Sequence, residues 1–593
     1  MTTPARLFDC LEWHLQKNDN YIMMSSKENG SWREYRVQEV ADIVNQLSAG
    51  LLQMGFGKND GTPEGKDKIA LISKNRPEWL MLDMAVQQIG AVLTPVYPTI
   101  SDLELEYVLN DAAVRIIFVN DAALAEKVNK LKPKIPLLQH VISFERTNGV
   151  KNWEEVLSTD PQKINEAKTI AASIQYEDLA TIIYTSGTTG KPKGVMLSHK
   201  NILSNIFNSM PCFPPGDDLI SISFLPLNHI FERMLDYLYL YKRTTVFFAE
   251  SMDTIADNLR EVKPNLFATV PRLLEKVYER IMQKGEELTG IKRRLFFWAH
   301  GLAEKFEINK NQGWLYNMQL SLANKIIFSK WREALGNNIV CIVSGGAACQ
   351  LRLIRIFTAA KIPIMEGYGL TETSPVICVN PYNVKERMFG TVGPVIKNVQ
   401  VKIADDGEIL CKGDNIMMGY YKHPELTAET VVDGWFKTGD IGVMIDNKYL
   451  KITDRKKEMF KTSGGKYVAP GVIEGKLKES PYIENLVVTG AEEKYVGALI
   501  VPAFASLRQW MKQQNIPDAG NDAIIHNDKV QEFYKNIVEK YNEQFNHVEQ
   551  IKRFELLPQD WSVETGELTP KLSLKRKVIM EKYKDAVGRI YAR

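Results

Sequence analysis

Residues Thr181 to His199 read TIIYTSGTTGKPKGVMLSH, an apolar run that breaks into a polar one. Thr181 to Thr185 is rich in β-branched and aromatic side chains and reads as a buried strand. The ten residues from Thr185 to Gly194 (Thr185, Ser186, Gly187, Thr188, Thr189, Gly190, Lys191, Pro192, Lys193, Gly194) hold four hydroxyls, three glycines and two lysines. Backbone N–H groups, hydroxyls and ammonium groups in one loop are donors for a polyphosphate. The loop is not the Walker A pattern, because Pro192 follows Lys191 where that pattern places a magnesium-binding Ser or Thr.

On either side of this loop, strands and helices alternate. Val37 to Met54 carries apolar residues at helical spacing and stops at Gly55. Lys68 to Ser73 reads as a strand, Arg76 to Gly90 as a helix and Ala91 to Tyr97 as a strand. Ser101 with Glu104 is a capping-box start for a helix through Leu109, and Val114 to Val119 is the next strand. Such alternation implies a largely parallel α/β sheet, with ligands bound beyond the carboxyl ends of its strands.

With 593 residues the chain is expected to form two or more domains. A formal net charge of +2 offers no electrostatic argument for nucleic acid as a partner. The six cysteines make no CxxC pair and no metal-ligand spacing, and read as reduced thiols. The N-terminal residues lack the apolar core of a signal peptide, and no window reaches the run of about 18 apolar residues that a spanning helix needs. A cytoplasmic protein is expected, with peripheral contact at the inner face of the membrane and self-association left open.

Three further segments carry chemistry. Leu219 to Phe224 reads as a strand leading into Leu225-Pro226-Leu227-Asn228-His229-Ile230-Phe231-Glu232-Arg233. Ile339 to Val343 and Ile362 to Met365 are short apolar strands. They end in Ser344-Gly345-Gly346-Ala347 and in Glu366-Gly367-Tyr368-Gly369-Leu370-Thr371-Glu372-Thr373. The second loop places Glu372 where a dinucleotide fingerprint needs its third glycine. Its glycines permit close approach of a planar base, Tyr368 can stack on it, Thr371 can bond phosphate and Glu372 can hold magnesium. Gly434 to Asp440 precedes a hairpin turning at Asp446-Asn447, and the charged run Asp454 to Lys461 follows. Between Arg280 and Leu335 several helical patterns occur. The one at Ile291 to His300 mixes basic and aromatic residues, as both ordinary core helices and helices lying on a membrane do.

Taken together these segments resemble the adenylate-forming superfamily, over nearly the whole chain and closest to the long-chain fatty acid–CoA ligase branch. The resemblance implies a large N-terminal α/β domain (residues 1–453), a hinge at 454–459 and a small mobile α+β lid (460–593). It implies ATP, magnesium and coenzyme A as cofactor and co-substrates, and a long-chain fatty acid activated as acyl-AMP before transfer to the coenzyme A thiolate. By the same resemblance the loop Thr185 to Gly190 and Lys193 hold the phosphates, and Thr185 and Glu372 the metal. Gly346, Ala347, Gly367, Tyr368 and Thr371 belong to the nucleotide pocket, and Asp440 takes the ribose hydroxyls. His229 lies beside the acyl and adenylate pocket, and Arg455, Lys457 and Lys461 approach the nucleotide. A carrier protein as acceptor, another carboxylic acid as substrate, and a non-catalytic lipid-binding role are the alternatives.

The chain departs from the family pattern in Gly566 to Arg576. Relatives commonly carry their adenylation lysine where Ser573 stands. Residues two apart on an extended segment point to the same side, so Lys571 is expected to deliver its ammonium there instead. A surface role for Lys571, and Lys575 as the reacting cation, remain the other readings.

Overall fold

In the computed structural model residues 4–185, 191–569 and 574–592 are described. Two eight-stranded sheets and a five-stranded one form the larger part of the molecule. The first sheet has the spatial order Gly419–Tyr420, Lys193–Ser198, Leu179–Thr185, Val92–Pro95, Lys68–Ile72, Ile116–Val119, His140–Ser143 and Lys151–Asn152. Its strands are parallel except at the edge, where Lys193–Ser198 returns antiparallel on Leu179–Thr185 and Gly419–Tyr420 pairs antiparallel with Lys193–Ser198. The alternation expected from Val37 to Val119 is present, with ends shifted by at most two residues.

In the second sheet, Ile22–Glu28, Thr245–Phe248, Ile220–Ser223, Leu266–Thr269, Cys341–Ser344 and Ile364–Gly369 lie parallel between antiparallel edges. The strand that begins at Ile364 runs on through Gly369, so Glu366, Gly367 and Tyr368 are strand residues rather than loop residues. Pairing with Val376–Val379 extends it: a Cβ on Gly369 would stand 1.6 Å from the Pro375 carbonyl oxygen, so only glycine admits that neighbour.

Helices fill the space around both sheets. Pro77–Gln88 is buried from Pro77 to Gln87, and Ile230–Tyr241 is buried over most of its length. Each carries charged residues into the core, where Arg233 of the second pairs with Asp83 of the first. The segment Ile291 to His300 divides: Phe296, Ala299 and His300 are buried, while Ile291 through Leu295 are exposed.

The antiparallel five-stranded sheet contains Trp435–Ile445 and Tyr449–Arg455, joined at Asp446-Asn447. Both turn residues have positive φ, 51° each, as a two-residue hairpin of this hand requires. Asp440 lies within the long strand, opposite Arg455, and not in a turn. Beyond Arg455, a three-stranded sheet (Ile483–Thr489, Val496–Pro502, Ile551–Leu556) packs with helices around cores of its own, drawn from residues 468–590. All six cysteines are free. Among the described residues no helix is long and apolar enough to cross a membrane.

Candidate functional site

The strand Leu179–Thr185 ends at the loop that decided the reading, and its partner begins opposite: Thr185 pairs with Lys193. Ser186, Gly187, Thr188, Thr189 and Gly190 lie outside the described residues. Lys193 extends its ammonium over the Tyr420 ring, 5.8 Å from the centroid. The Tyr420 hydroxyl donates to Glu372 Oε1 at 2.9 Å. Burial, and next the Glu372 carboxylate, push the Tyr420 hydroxyl far above the ordinary phenol range. The Met417 N–H, donating to the Glu372 carbonyl at 2.9 Å, fixes the same segment. Thr185, Lys193 and Glu372 thus come together through a residue that sequence reasoning passed over. The Gly419-Tyr420-Tyr421 run carries no motif; its pairing with Met196 and Val195, and the Tyr421 N–H donating to Gly194 O at 2.8 Å, bring it to the loop.

The Glu372 turn is clamped from below. Asn205 Nδ2 donates to Val376 O at 2.7 Å and Asn415 Nδ2 to Thr373 O at 3.0 Å, holding the 3-10 turn Thr371–Thr373. Thr371 is buried in that turn. The donors at the candidate metal position are a hydroxyl and a carboxylate, both hard oxygens, a set that suits magnesium completed by phosphate and water. Among the described residues no cluster of three or more His, Cys, Asp or Glu side chains could form an all-protein metal site.

A second constellation sits on facing strands. Tyr368 donates its hydroxyl to Asp440 Oδ2 at 2.8 Å, and Arg455 Nε donates to Asp440 Oδ1 at 3.0 Å. Burial raises the Asp440 carboxyl above its usual range against the opposing pull of Arg455, and raises the Tyr368 hydroxyl well above ordinary phenols. Each carboxylate oxygen keeps a lone pair for a ligand hydroxyl. Arg455 stands opposite Asp440 in the ladder. Lys461 instead holds its ammonium 4.6 Å above the ring of Tyr467. Lys457 makes an interaction with its surroundings.

The two remaining segments adjoin each other and the Glu366 strand, with Ser344 paired to Glu366 and Gly345 against Phe231. Gly346 has φ +81° with open space at its Cβ position, and Ala347 is exposed. The neighbouring Gly345 touches the Phe231 ring, which a Cβ there would approach to 3.0 Å. Glu366 accepts the Cys349 N–H at 3.0 Å, and burial pushes its carboxyl up to about 7. His229 precedes the helix Ile230–Tyr241 and packs edge-on to Tyr97, with ring centroids 5.5 Å apart. Beside it the buried Asn228 leaves both amide atoms without a hydrogen-bond partner among the described residues. A buried unpaired amide is costly unless a ligand or water completes it.

Asp454 is the penultimate residue of the strand Tyr449–Arg455. It is buried, with Oδ1 accepting the Arg455 N–H at 2.6 Å and Oδ2 unpartnered, and burial raises its carboxyl to about 6. Around it stand Gly471, Glu458 and Glu474, the last gripped by Arg576 through bonds of 2.8 and 3.0 Å. Arg272 and Glu484 form a further ion pair across the junction. Lys571 and Ser573 lie outside the described residues. Lys575 begins the helix Arg576–Lys582, its N–H donating to Glu567 O at 2.7 Å.

The AMP-binding enzyme family matches residues 11–421 and the AMP-binding enzyme C-terminal domain matches residues 458–593. A long-chain-fatty-acid–CoA ligase of Mycobacterium bovis is 33% identical over 591 residues, covering 98% of this chain and 96% of its own. A long-chain-fatty-acid–CoA ligase of Homo sapiens is 29% identical, covering 99% of this chain and 86% of its own. Among solved structures, an anthranilate CoA ligase in complex with anthranoyl-AMP superposes with a TM-score of 0.72 at 18% identity, over 99% of each chain. A Mycobacterium tuberculosis fatty acyl CoA synthetase superposes with a TM-score of 0.61 at 18% identity, over 98% of this chain and 99% of its own. The solved structures share the fold, the family match spans most of the chain and the sequence relatives span nearly all of it: the protein belongs to the AMP-binding enzyme family.

Proposed function

We propose that the protein is an AMP-forming ligase that activates a long-chain fatty acid with ATP and passes it to coenzyme A. The observation that carries this reading is the meeting of Lys193, Tyr420 and Glu372 at the end of the strand Leu179–Thr185, with Tyr368, Asp440 and Arg455 as a second polar group. The first group supplies a cation and hard oxygen donors for a triphosphate with its metal. The second offers a ring for a base and a carboxylate for ribose hydroxyls. The named relatives at full length supply the acid and the acceptor.

In the first half-reaction a carboxylate oxygen attacks the α-phosphorus of ATP. The bond from that phosphorus to the bridging oxygen breaks, and pyrophosphate leaves. Lys193, with the hydroxyls and backbone N–H groups of Thr185 to Gly190, offsets the charge that would keep two anions apart. Magnesium held by the Thr185 hydroxyl and the Glu372 carboxylate would add to that charge neutralisation. Gly346, Ala347, Gly367 and Tyr368 line the base, Thr371 contacts phosphate, and His229 with Asn228 faces the reacting carboxylate. Placement of the two substrates accounts for much of the acceleration. In the second half-reaction the coenzyme A thiolate attacks the acyl carbon, and the carbon–oxygen bond to AMP breaks. No enzyme nucleophile is required, because the intermediate is linked to AMP.

We assign residues 1–453 to the substrate-binding domain, 454–459 to the hinge and 460–593 to the lid, with Arg455, Lys457 and Lys461 as hinge and lid cations for the nucleotide. Lys571 is the adenylation cation in this reading. Lys571→Ala then loses acyl-AMP formation and keeps thioester formation from preformed acyl-AMP, whereas an unchanged adenylation rate transfers the role to Lys575 or excludes a lysine here.

A further inference from the structure

The helix Trp314–Ile326 has two apolar faces. Inward, Ala323 is buried and Tyr316, Leu320 and Ile327 pack against the main core. Outward, Trp314, Met318 and Leu322 are 72%, 55% and 50% exposed, and Leu315 and Ile326 are exposed as well. Positions 314, 318, 322 and 326 recur every four residues, so these side chains form one stripe along the helix. The neighbouring helix Gly290–Glu304 contributes exposed Ile291 and Leu295 from its first turns. The two helices are tied where the Tyr316 hydroxyl donates to Leu302 O at 2.8 Å. An apolar helix face left in solvent marks an interaction surface.

Within the two helical segments, between their flanking acids, the charged residues are all basic. Between Glu287 and Glu304 the sequence holds no acid and contains Lys292, Arg293 and Arg294; between Glu307 and Glu333 it holds none and contains Lys310, Lys325, Lys330 and Arg332. Some of these cations are committed, Arg293 to Glu286, Lys330 to Glu333 and Arg332 to Asn324 and Ala360. Lys292, Arg294, Lys310 and Lys325 are exposed. Lys325 projects within the apolar stripe, where its stem can lie along the apolar surface while the ammonium reaches outward.

We propose that this face is a docking surface for an anionic lipid bilayer. A helix of this length, about 20 Å, is too short to span the hydrocarbon but suited to lie in the interface, apolar stripe inward and cations at the phosphate level. Charge selects this occupant over a second copy of the chain, since two such faces would bring cations against cations. The surface argument is independent of the reaction at the nucleotide site, and its test reads binding rather than turnover.

The full-length protein is floated with vesicles of phosphatidylcholine alone or mixed with phosphatidylglycerol. The expected result is binding at least about tenfold tighter to the anionic vesicles, weakening as salt is raised. The variant Trp314→Glu with Met318→Glu and Leu322→Glu loses that binding by at least about tenfold while keeping the parent melting temperature. The variant Lys292→Glu with Arg294→Glu and Lys325→Glu loses the preference for anionic vesicles. Equal binding by the parent and either variant overturns the proposal. So does a parent that ignores vesicles, or one that self-associates through the stripe and becomes monomeric in the first variant.

Discussion

The Arg233 guanidinium and the Asp83 carboxylate form an ion pair in which both side chains are fully shielded from solvent. Arg233 Nε donates to Asp83 Oδ2 at 2.8 Å, and Tyr237 donates to the same oxygen at 2.8 Å. The third arm of the guanidinium, Nη1, donates to Thr181 Oγ1 at 2.9 Å, in the strand that leads into the phosphate loop. One side chain therefore joins the Leu225–Arg233 segment, the buried helix Pro77–Gln88 and the strand before the loop. Removing one partner leaves a buried charge uncompensated, a loss of about 3–5 kcal/mol. Asp83→Asn should show that loss in urea unfolding, and an unchanged unfolding midpoint would contradict the assigned role.

Tyr420→Phe removes one hydrogen bond to a carboxylate and leaves the ring beneath Lys193. A bond to a charged group contributes roughly 1.5–3 kcal/mol. If Glu372 must be held to receive magnesium, pyrophosphate exchange falls by about ten- to a hundredfold and its magnesium requirement rises. A parent-like magnesium titration would mean that Tyr420 is only packing.

Glu366 gives a pH dependence of known sign. Its folded carboxyl lies near 7, above the ordinary value of 4.5, because burial disfavours the charged form. The protonated side chain is therefore compatible with the fold; this contribution is complete below the unfolded value and is lost as pH rises through about 7. Glu366→Gln keeps an acceptor for the Cys349 N–H and carries no charge. The variant should match the parent near pH 4 and exceed it near pH 8, by roughly 3 kcal/mol of unfolding free energy. Parallel stability curves for the two proteins would refute this.

In the proposed reading the lid re-docks about Asp454 between half-reactions, which would require its backbone to turn. Asp454→Pro fixes φ there and should slow thioester formation from preformed acyl-AMP far more than acyl-AMP formation. Equal losses in both steps would indicate general damage instead of a hinge.

Much of this was legible in residues alone because backbone chemistry leaves local marks. β-Branched runs ending in glycine and hydroxyl clusters located Thr185, Lys193 and Glu372, and the positive-φ pair Asp446-Asn447 was readable as a hairpin. Long-range partnerships leave no such mark. Tyr420 reaches Glu372 through the edge pairing of Gly419–Tyr420, and Arg233 finds Asp83 150 residues earlier in the chain. Asp440 belongs to a strand because its ladder to Arg455 forms, although glycine beside it resembles a turn. The second apolar face of Trp314–Ile326 becomes visible only once the first is seen buried.

The central claim is CoA-dependent acyl activation, and AMP release tests it most directly. Purified protein is given ATP, magnesium and saturated fatty acids of increasing length, with and without coenzyme A. The account predicts AMP release that requires coenzyme A and is greatest with long chains. Pyrophosphate exchange without CoA-dependent AMP release would contradict the acceptor, and no turnover with any acid would contradict the reaction itself.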